Sequence, residues 1–172
     1  MAEALATITP VVDQGMIQIR ADLGAKGDAI SRAVGVALPA PTRIATEGTR
    51  ALGWMSPDEL LLLLPKAEVP VTLTALEDAL AGAHALVVDV SDMRAVFDVV
   101  GAQADHVLAK LTPTDFSKVE SDSLRRSRLA QAACGIWPIA GGFRVMAFRS
   151  VGDYIRGILT AAARPGTSLD PR

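Results

Sequence analysis

The amino-acid sequence predicts an α+β fold: an internally duplicated strand–helix–hairpin–helix unit, with helices packed on a largely antiparallel sheet. Three observations point there. Short alternating apolar segments, bounded by proline, glycine and aspartate turns, are interleaved with segments whose apolar residues recur every three or four positions. The order of these segments repeats: Ile17 matches Ala95, Arg50 matches Arg128, Leu60 matches Phe143 and Pro70 matches Val151, at offsets of 78, 78, 83 and 81 residues. Each half, at about 80 residues, buries little by itself. The expected organisation is therefore an N-terminal segment 1–14, a single duplicated domain 15–163 with halves 15–91 and 92–163, and a flexible tail 164–172.

In the first half, Ile17, Ile19 and Ala21 alternate with Gln18 and Arg20 as a half-buried strand. Ile30, Ala33, Val34 and Ala37 carry a helix stripe, which Pro39 and Pro41 end. A polar turn spans 46–49, a strand follows over 50–54, and Ser56-Pro57-Asp58 turns the chain. Residues 59–64 return as a strand whose five consecutive leucines imply burial on both faces. Val69, Leu73, Leu76 and Leu80 mark a second helix ended at Gly82. Its start is set either near Pro70 or by the capping-box spacing Thr74–Glu77, and the earlier start fits the stripe better. Residues 85–90 form an apolar, β-branched strand.

The second half repeats the series. Met93, Ala95, Phe97 and Val99 alternate as a strand, and Ala104, Val107, Leu108 and Leu111 mark a helix. A polar loop covers 112–123. Residues 129–137 and 143–149 form a hairpin closed at Gly141-Gly142, where positive φ is cheap. Ser150, with Asp153 three residues on, caps a last helix whose buried face is Val151, Tyr154, Ile155, Ile158 and Leu159.

Composition narrows the function. Half of the residues are hydrophobic, only 4% are aromatic, and the net charge is −2. Disorder is excluded, and the near-neutral balance gives no general field for nucleic acid. The longest apolar run, 60–64, falls far short of the roughly 20 residues a spanning helix needs, so no membrane is expected. Met1-Ala2-Glu3-Ala4 lacks a basic region leading into an apolar stretch, so no secretory leader is expected either. Cys134 stands alone, which rules out an intramolecular disulfide and fits a reducing, cytoplasmic compartment. The apolar excess exceeds the needs of one small core and points to a buried interface with a partner.

No catalytic or metal constellation emerges. His84 falls at a helix-to-strand passage and His106 on the exposed side of a helix, neither with ligands at zinc spacing. Cys134, among small strand residues, reads as buried and structural. Gly24 and Gly27 lack the third glycine of a dinucleotide loop. Arg125, Arg126 and Arg128 form a solvated basic face that could contact an anion. Asp89, Ser91, Asp92, Arg94 and Asp98 concentrate charge in a turn, where Asp92 bonds backbone amides and Arg94 pairs with an acid. Trp54 and Trp137 occupy matching places in the two hairpins, as interface anchors or as core.

Four blocks carry a resemblance: Gly53-Trp54-Met55-Ser56-Pro57-Asp58-Glu59-Leu60-Leu61-Leu62, then Val87-Val88-Asp89-Val90-Ser91-Asp92-Met93-Arg94-Ala95, then Arg126-Ser127-Arg128-Leu129-Ala130-Gln131, and Gly142-Phe143-Arg144-Val145 continuing to Phe148-Arg149-Ser150-Val151-Gly152-Asp153-Tyr154. In this order they resemble the gamma subunit family of heterotetrameric sarcosine oxidases. Cys134-Gly135-Ile136 and Pro138 depart from the family's expected strand-to-turn passage. The resemblance implies a fold like the folate-binding domain of glycine-cleavage aminomethyltransferase. It implies a non-catalytic accessory subunit of a complex that oxidises sarcosine to glycine, with alpha, beta and delta chains as partners. FAD, FMN, NAD, tetrahydrofolate and zinc would sit on those chains, and no catalytic, cofactor or metal residue carries over to this one. Expected partner contacts are Trp54, Trp137, Asp92 and Arg94. The competing expectation is a stand-alone folate binder or folate-dependent enzyme, with Asp89, Asp92 or Asp98 supplying a buried carboxylate for the pterin.

Overall fold

A computed structural model describes residues 3–169. It divides the chain into two compact units: Asp13–Ser91, and the segment up to Val12 joined with the chain from Asp92 onward. The positions 1–2 and 170–172 of the expected terminal segments lie outside the described residues.

The Asp13–Ser91 unit contains β2 (Gln14–Arg20), α1 (Leu23–Val34), β3 (Ile44–Glu47), β4 (Arg50–Ser56), β5 (Glu59–Pro65), α2 (Val69–Ala79) and β6 (Leu86–Asp89). Its five strands lie in the order β3-β4-β5-β2-β6, every neighbouring pair antiparallel. Asp22 starts α1 by accepting hydrogen bonds from the Gly24 and Ala25 amides at 3.0 and 3.2 Å. Gly35 ends it in the left-handed region at φ 69°, before the prolines are reached. Ile17, Ile19, Leu52, Leu60, Leu62 and Leu64 of the sheet bury against Ile30, Val34 and Leu76 of the two helices. Leu61 and Leu63 on the opposite face are buried as well, so β5 is covered on both sides, as its leucine run implies.

The other unit contains β1 (Thr7–Pro10), β7 (Arg94–Val100), α3 (Ala104–Ala109), β8 (Arg125–Leu129), β9 (Ala132–Ile139), β10 (Gly142–Phe148) and α4 (Gly152–Ala162). Its sheet runs β1-β7-β10-β9-β8, again antiparallel throughout. Phe97, Val99, Ile136, Val145 and Ala147 bury against Val107, Leu108, Ile155 and Leu159. The two sheet orders correspond strand for strand, β3-β4-β5-β2-β6 against β8-β9-β10-β7-β1. Pairing corresponds too: Ile17 faces Leu62 in one sheet, and Phe97 faces Val145 in the equivalent place of the other. The duplication is therefore real at the level of topology, with one rearrangement. The slot that β6 fills at the end of its own unit is filled in the other unit by β1, from the far end of the sequence.

Several expectations change. The polar 46–49 segment hides β3, a four-residue edge strand hairpinned to β4. The single strand expected over 129–137 is two strands, β8 and β9, reversing at Ala130-Gln131. Ala130 adopts φ 50°, a conformation alanine rarely takes, so no glycine or asparagine announced the turn. The strand equivalent to β4 is hence β9 and not the Arg128 strand. β9 runs regularly through Cys134, Gly135, Ile136 and Pro138. The 85–90 strand is an edge strand, with Leu86 and Val88 exposed. Ser150 does not cap α4; it lies in a 3-10 turn (Arg149–Val151), and the helix starts at Gly152 without a side-chain cap. Tyr154 leaves the expected buried stripe and is 42% exposed.

Candidate functional site

The titratable groups that the sequence singles out are placed separately and, for the most part, already engaged. His84 is exposed in a groove of about 560 Å3 lined by Arg20, Asp22, Asp58 and Leu86. Arg20 donates to Asp58 Oδ2 at 2.6 Å, and Ser56 Oγ donates to Asp58 Oδ1 at 2.7 Å. These bonds, that of Ser56 foremost, hold the Asp58 carboxyl below the usual range. His106 is half-buried on α3 rather than exposed, and its Nδ1 lacks a hydrogen-bond partner. Among the described residues no three His, Cys, Asp or Glu side chains come together as a metal site. Cys134 is buried beside Ile136 and Val145, and burial pushes its thiol up to about 11. Such a thiol is protonated at neutral pH and is no nucleophile. Gly27 serves packing: a Cβ there would meet Leu38 Cδ2 at 2.6 Å.

The 89–94 turn is tied by Asp89 as well as by the residues expected to tie it: its Oδ1 accepts from the Ser91 amide at 2.9 Å and from Ser91 Oγ at 2.5 Å. Those two bonds keep the Asp89 carboxyl below its ordinary value. Ser91 Oγ in turn accepts from the Met16 amide at 3.0 Å, which anchors the turn to β2. Asp98 is held by Arg144 in a two-pronged pair, 2.6 and 2.9 Å, across the β7–β10 register. Asp92 faces solvent beside Arg149, whose Nε donates to the Asp92 carbonyl at 2.6 Å. None of Asp89, Asp92 and Asp98 is both buried and open to a pterin.

Arg94 lies over the Phe148 ring, 4.2 Å from its centroid. The register explains this: Phe148, the last residue of β10, pairs with Arg94, the first of β7. Phe148 is 43% exposed, and Met93 beside it also reaches solvent. Met93, Arg94, Phe148 and Arg149 thus form a small apolar and cationic patch at one end of the sheet. Arg94 is legible in the sequence as a charge, whereas Phe148 looks like an ordinary inward strand residue until the register is known.

The tryptophans do not occupy matching places. Trp54 pairs with Leu60, whereas Trp137 pairs with Arg144, one step out of the equivalent register. A one-residue slip puts a side chain on the opposite face of its sheet. Trp54 accordingly packs, half-buried, against the helix-covered core of its unit. Trp137 points away from the Cys134–Ile136 core and is only 5% exposed, so it is a buried residue of this chain and not a surface anchor.

The model of the sarcosine oxidase gamma subunit family matches residues 20–164. Sarcosine oxidase subunit gamma of Corynebacterium sp. strain P-1 is 36% identical over 104 residues, covering 58% of this chain and 49% of that one. The strain U-96 protein is 36% identical over 117 residues, covering 66% and 56%. The chain thus spans about half the length of the curated relatives it matches. Among solved structures, heterotetrameric sarcosine oxidase from Corynebacterium sp. U-96, in complex with pyrrole 2-carboxylate, contains a chain that matches with TM-score 0.88 at 26% identity. That match covers all of this chain and 91% of the other. Glycine cleavage aminomethyltransferase T from Bartonella henselae matches with TM-score 0.68 at 15% identity, over 92% of this chain and 46% of its own, which is a likeness of fold alone.

Proposed function

The chain belongs to the sarcosine oxidase gamma subunit family, and from that premise we propose that it is a non-catalytic accessory subunit of a sarcosine-oxidising complex. The observation that carries this reading is the likeness, end to end, to a chain of a heterotetrameric sarcosine oxidase. The state of its own side chains supports it: the thiol is buried and protonated, and the carboxylates of the 89–98 region are exposed or held by serine and arginine. The proposed partners are the alpha, beta and delta chains, which would hold the FAD, FMN, NAD, tetrahydrofolate and zinc of the complex. The proposed location is the cytoplasm, where a lone thiol is at home.

Partner contacts are proposed at Asp92 and Arg94, extended by Phe148, Met93 and Arg149, with Trp54 offering its half-exposed edge. Arginine stacked on an aromatic ring, with methionine beside it, is the composition that interface cores favour. The test is affinity capture of the tagged chain from sarcosine-grown cells. Flavin-bearing chains and sarcosine-dependent oxygen consumption should come with it, and recovery of the chain alone overturns the proposal. Phe148→Asp should reduce that recovery by about tenfold or more, the scale of losing one hot-spot side chain.

A further inference from the structure

A second charged place in the molecule stands apart from the surface described above. The segment after α3 runs over the outer edge of β8 and encloses a pocket of about 290 Å3, lined by Pro113, Thr114, Asp115, Lys118, Arg125, Arg126 and Ser127. Its walls are fixed by hydroxyl contacts. Thr112 Oγ1, which is buried, shares hydrogen bonds with Thr114 Oγ1 at 3.1 Å and with Ser127 Oγ at 3.0 Å. Two shared bonds use two of the three hydroxyl hydrogens. When the bonds run head to tail, the spare hydrogen sits on Thr114 or Ser127, both of which line the pocket.

The charges are unequal. Lys118, Arg125 and Arg126 place three cationic side chains in the lining against the one carboxylate of Asp115, in a chain whose net charge is −2. Asp115 is turned inward on its own loop: it accepts from the Ser117 amide and hydroxyl at 3.1 and 2.7 Å and pairs with Lys118 at 3.0 Å. Arg125 and Arg126 are adjacent on β8, and both line the pocket. A guanidinium fork and a spare hydroxyl match the oxygens of phosphate, which carries a charge of about −1.5 to −2 at pH 7. A carboxylate brings half that charge. The volume suits a phosphate with a small organic group attached and lies at the lower end of the range for small-molecule sites.

We propose that this pocket is a binding site for a phosphate group, either free or carried on a small organic molecule. The site goes beyond the accessory role proposed above and does not depend on it, since all its residues belong to this chain. Edge-strand arginines also discourage sheet-to-sheet pairing, and that simpler role predicts no saturable ligand.

The test is calorimetry on the full chain, titrated in separate arms with inorganic phosphate and with glycerol 3-phosphate. One saturable site per chain is expected. Arg125→Glu should weaken it by at least about tenfold, the scale of one charge-assisted contact. Arg128→Glu, on the same strand but outside the pocket, should leave it unchanged. Thr114→Val tests the same site without altering its charge and should weaken binding several-fold. Equal affinity in the two arms assigns the site to free phosphate, and tighter binding of glycerol 3-phosphate assigns it to a phosphorylated small molecule. No saturation in either arm, or equal weakening by Arg128→Glu and Arg125→Glu, overturns the proposal.

Discussion

Cys134 shows how one position can be read from its neighbours. Its small, apolar surroundings on β9 mark it as core, and burial in that core raises the thiol from the ordinary 9.0 to about 11. Between those two values the folded chain keeps a proton that the unfolded chain releases. Its contribution to stability is therefore complete below pH 9 and falls as pH rises towards 11. Denaturant midpoints compared at pH 8 and pH 10.5 should drop further in the native sequence than in Cys134→Ala. An equal drop would show that the thiol titrates normally. The Ser91–Asp89 turn makes the opposite lesson, because the sequence located the charged cluster but not the part Asp89 plays in it. Spacing alone does not show that Asp89 holds Ser91, whose hydroxyl in turn anchors the Met16 amide.

Helix α4 tests how far periodicity can be trusted within an element. Ile155 and Leu159 lie fully buried in the core of their unit, while Tyr154, next to Ile155 in the chain, turns outward. Ile155→Ala should destabilise by about 2 to 5 kcal/mol through lost burial and the cavity left behind. Tyr154→Ala should change stability by less than about 0.5 kcal/mol. Chemical denaturation of both variants measures the contrast, and similar losses would restore Tyr154 to the buried face. Long elements with a clear apolar pattern, such as β2, β5 and α2, were legible because burial dictates their residues. The elements that escaped were β1, β3 and the β8–β9 reversal. Short edge strands bury few side chains, and the reversal at Ala130 uses a residue with no turn signature. Among the candidate site residues, Arg94 was legible as a charge, but its stacking on Phe148 follows from a register that joins positions 54 residues apart.

At the scale of the whole chain, duplication was legible because helix stripes and strands recur at a near-constant interval. Its rearranged end was not, because β1 gives no local sign that its partner is β7. Ile8 faces Val99, Ala6 joins the same buried cluster, and the Leu5 amide donates to the Ala163 carbonyl at 3.0 Å. Deleting the chain through Pro10 removes these contacts and bares the outer edge of β7. Hydrogen exchange should then quicken in β7, β10 and α4, while the amides of β2 and β5, whose unit owns all its strands, keep their protection. Equal loss in both units would show that they do not hold their structure separately.

The same arrangement sets a waiting time during synthesis. β1 pairs with a strand that is made about 90 residues later, an interval of roughly 4 to 18 s at ordinary translation rates. In that interval Asp13–Ser91 emerges with every strand of its own sheet and can close. Leu5, Ala6 and Ile8 must wait unpaired, which makes the β1 segment, rather than Asp13–Ser91, the natural target for a chaperone or a protease on the nascent polypeptide.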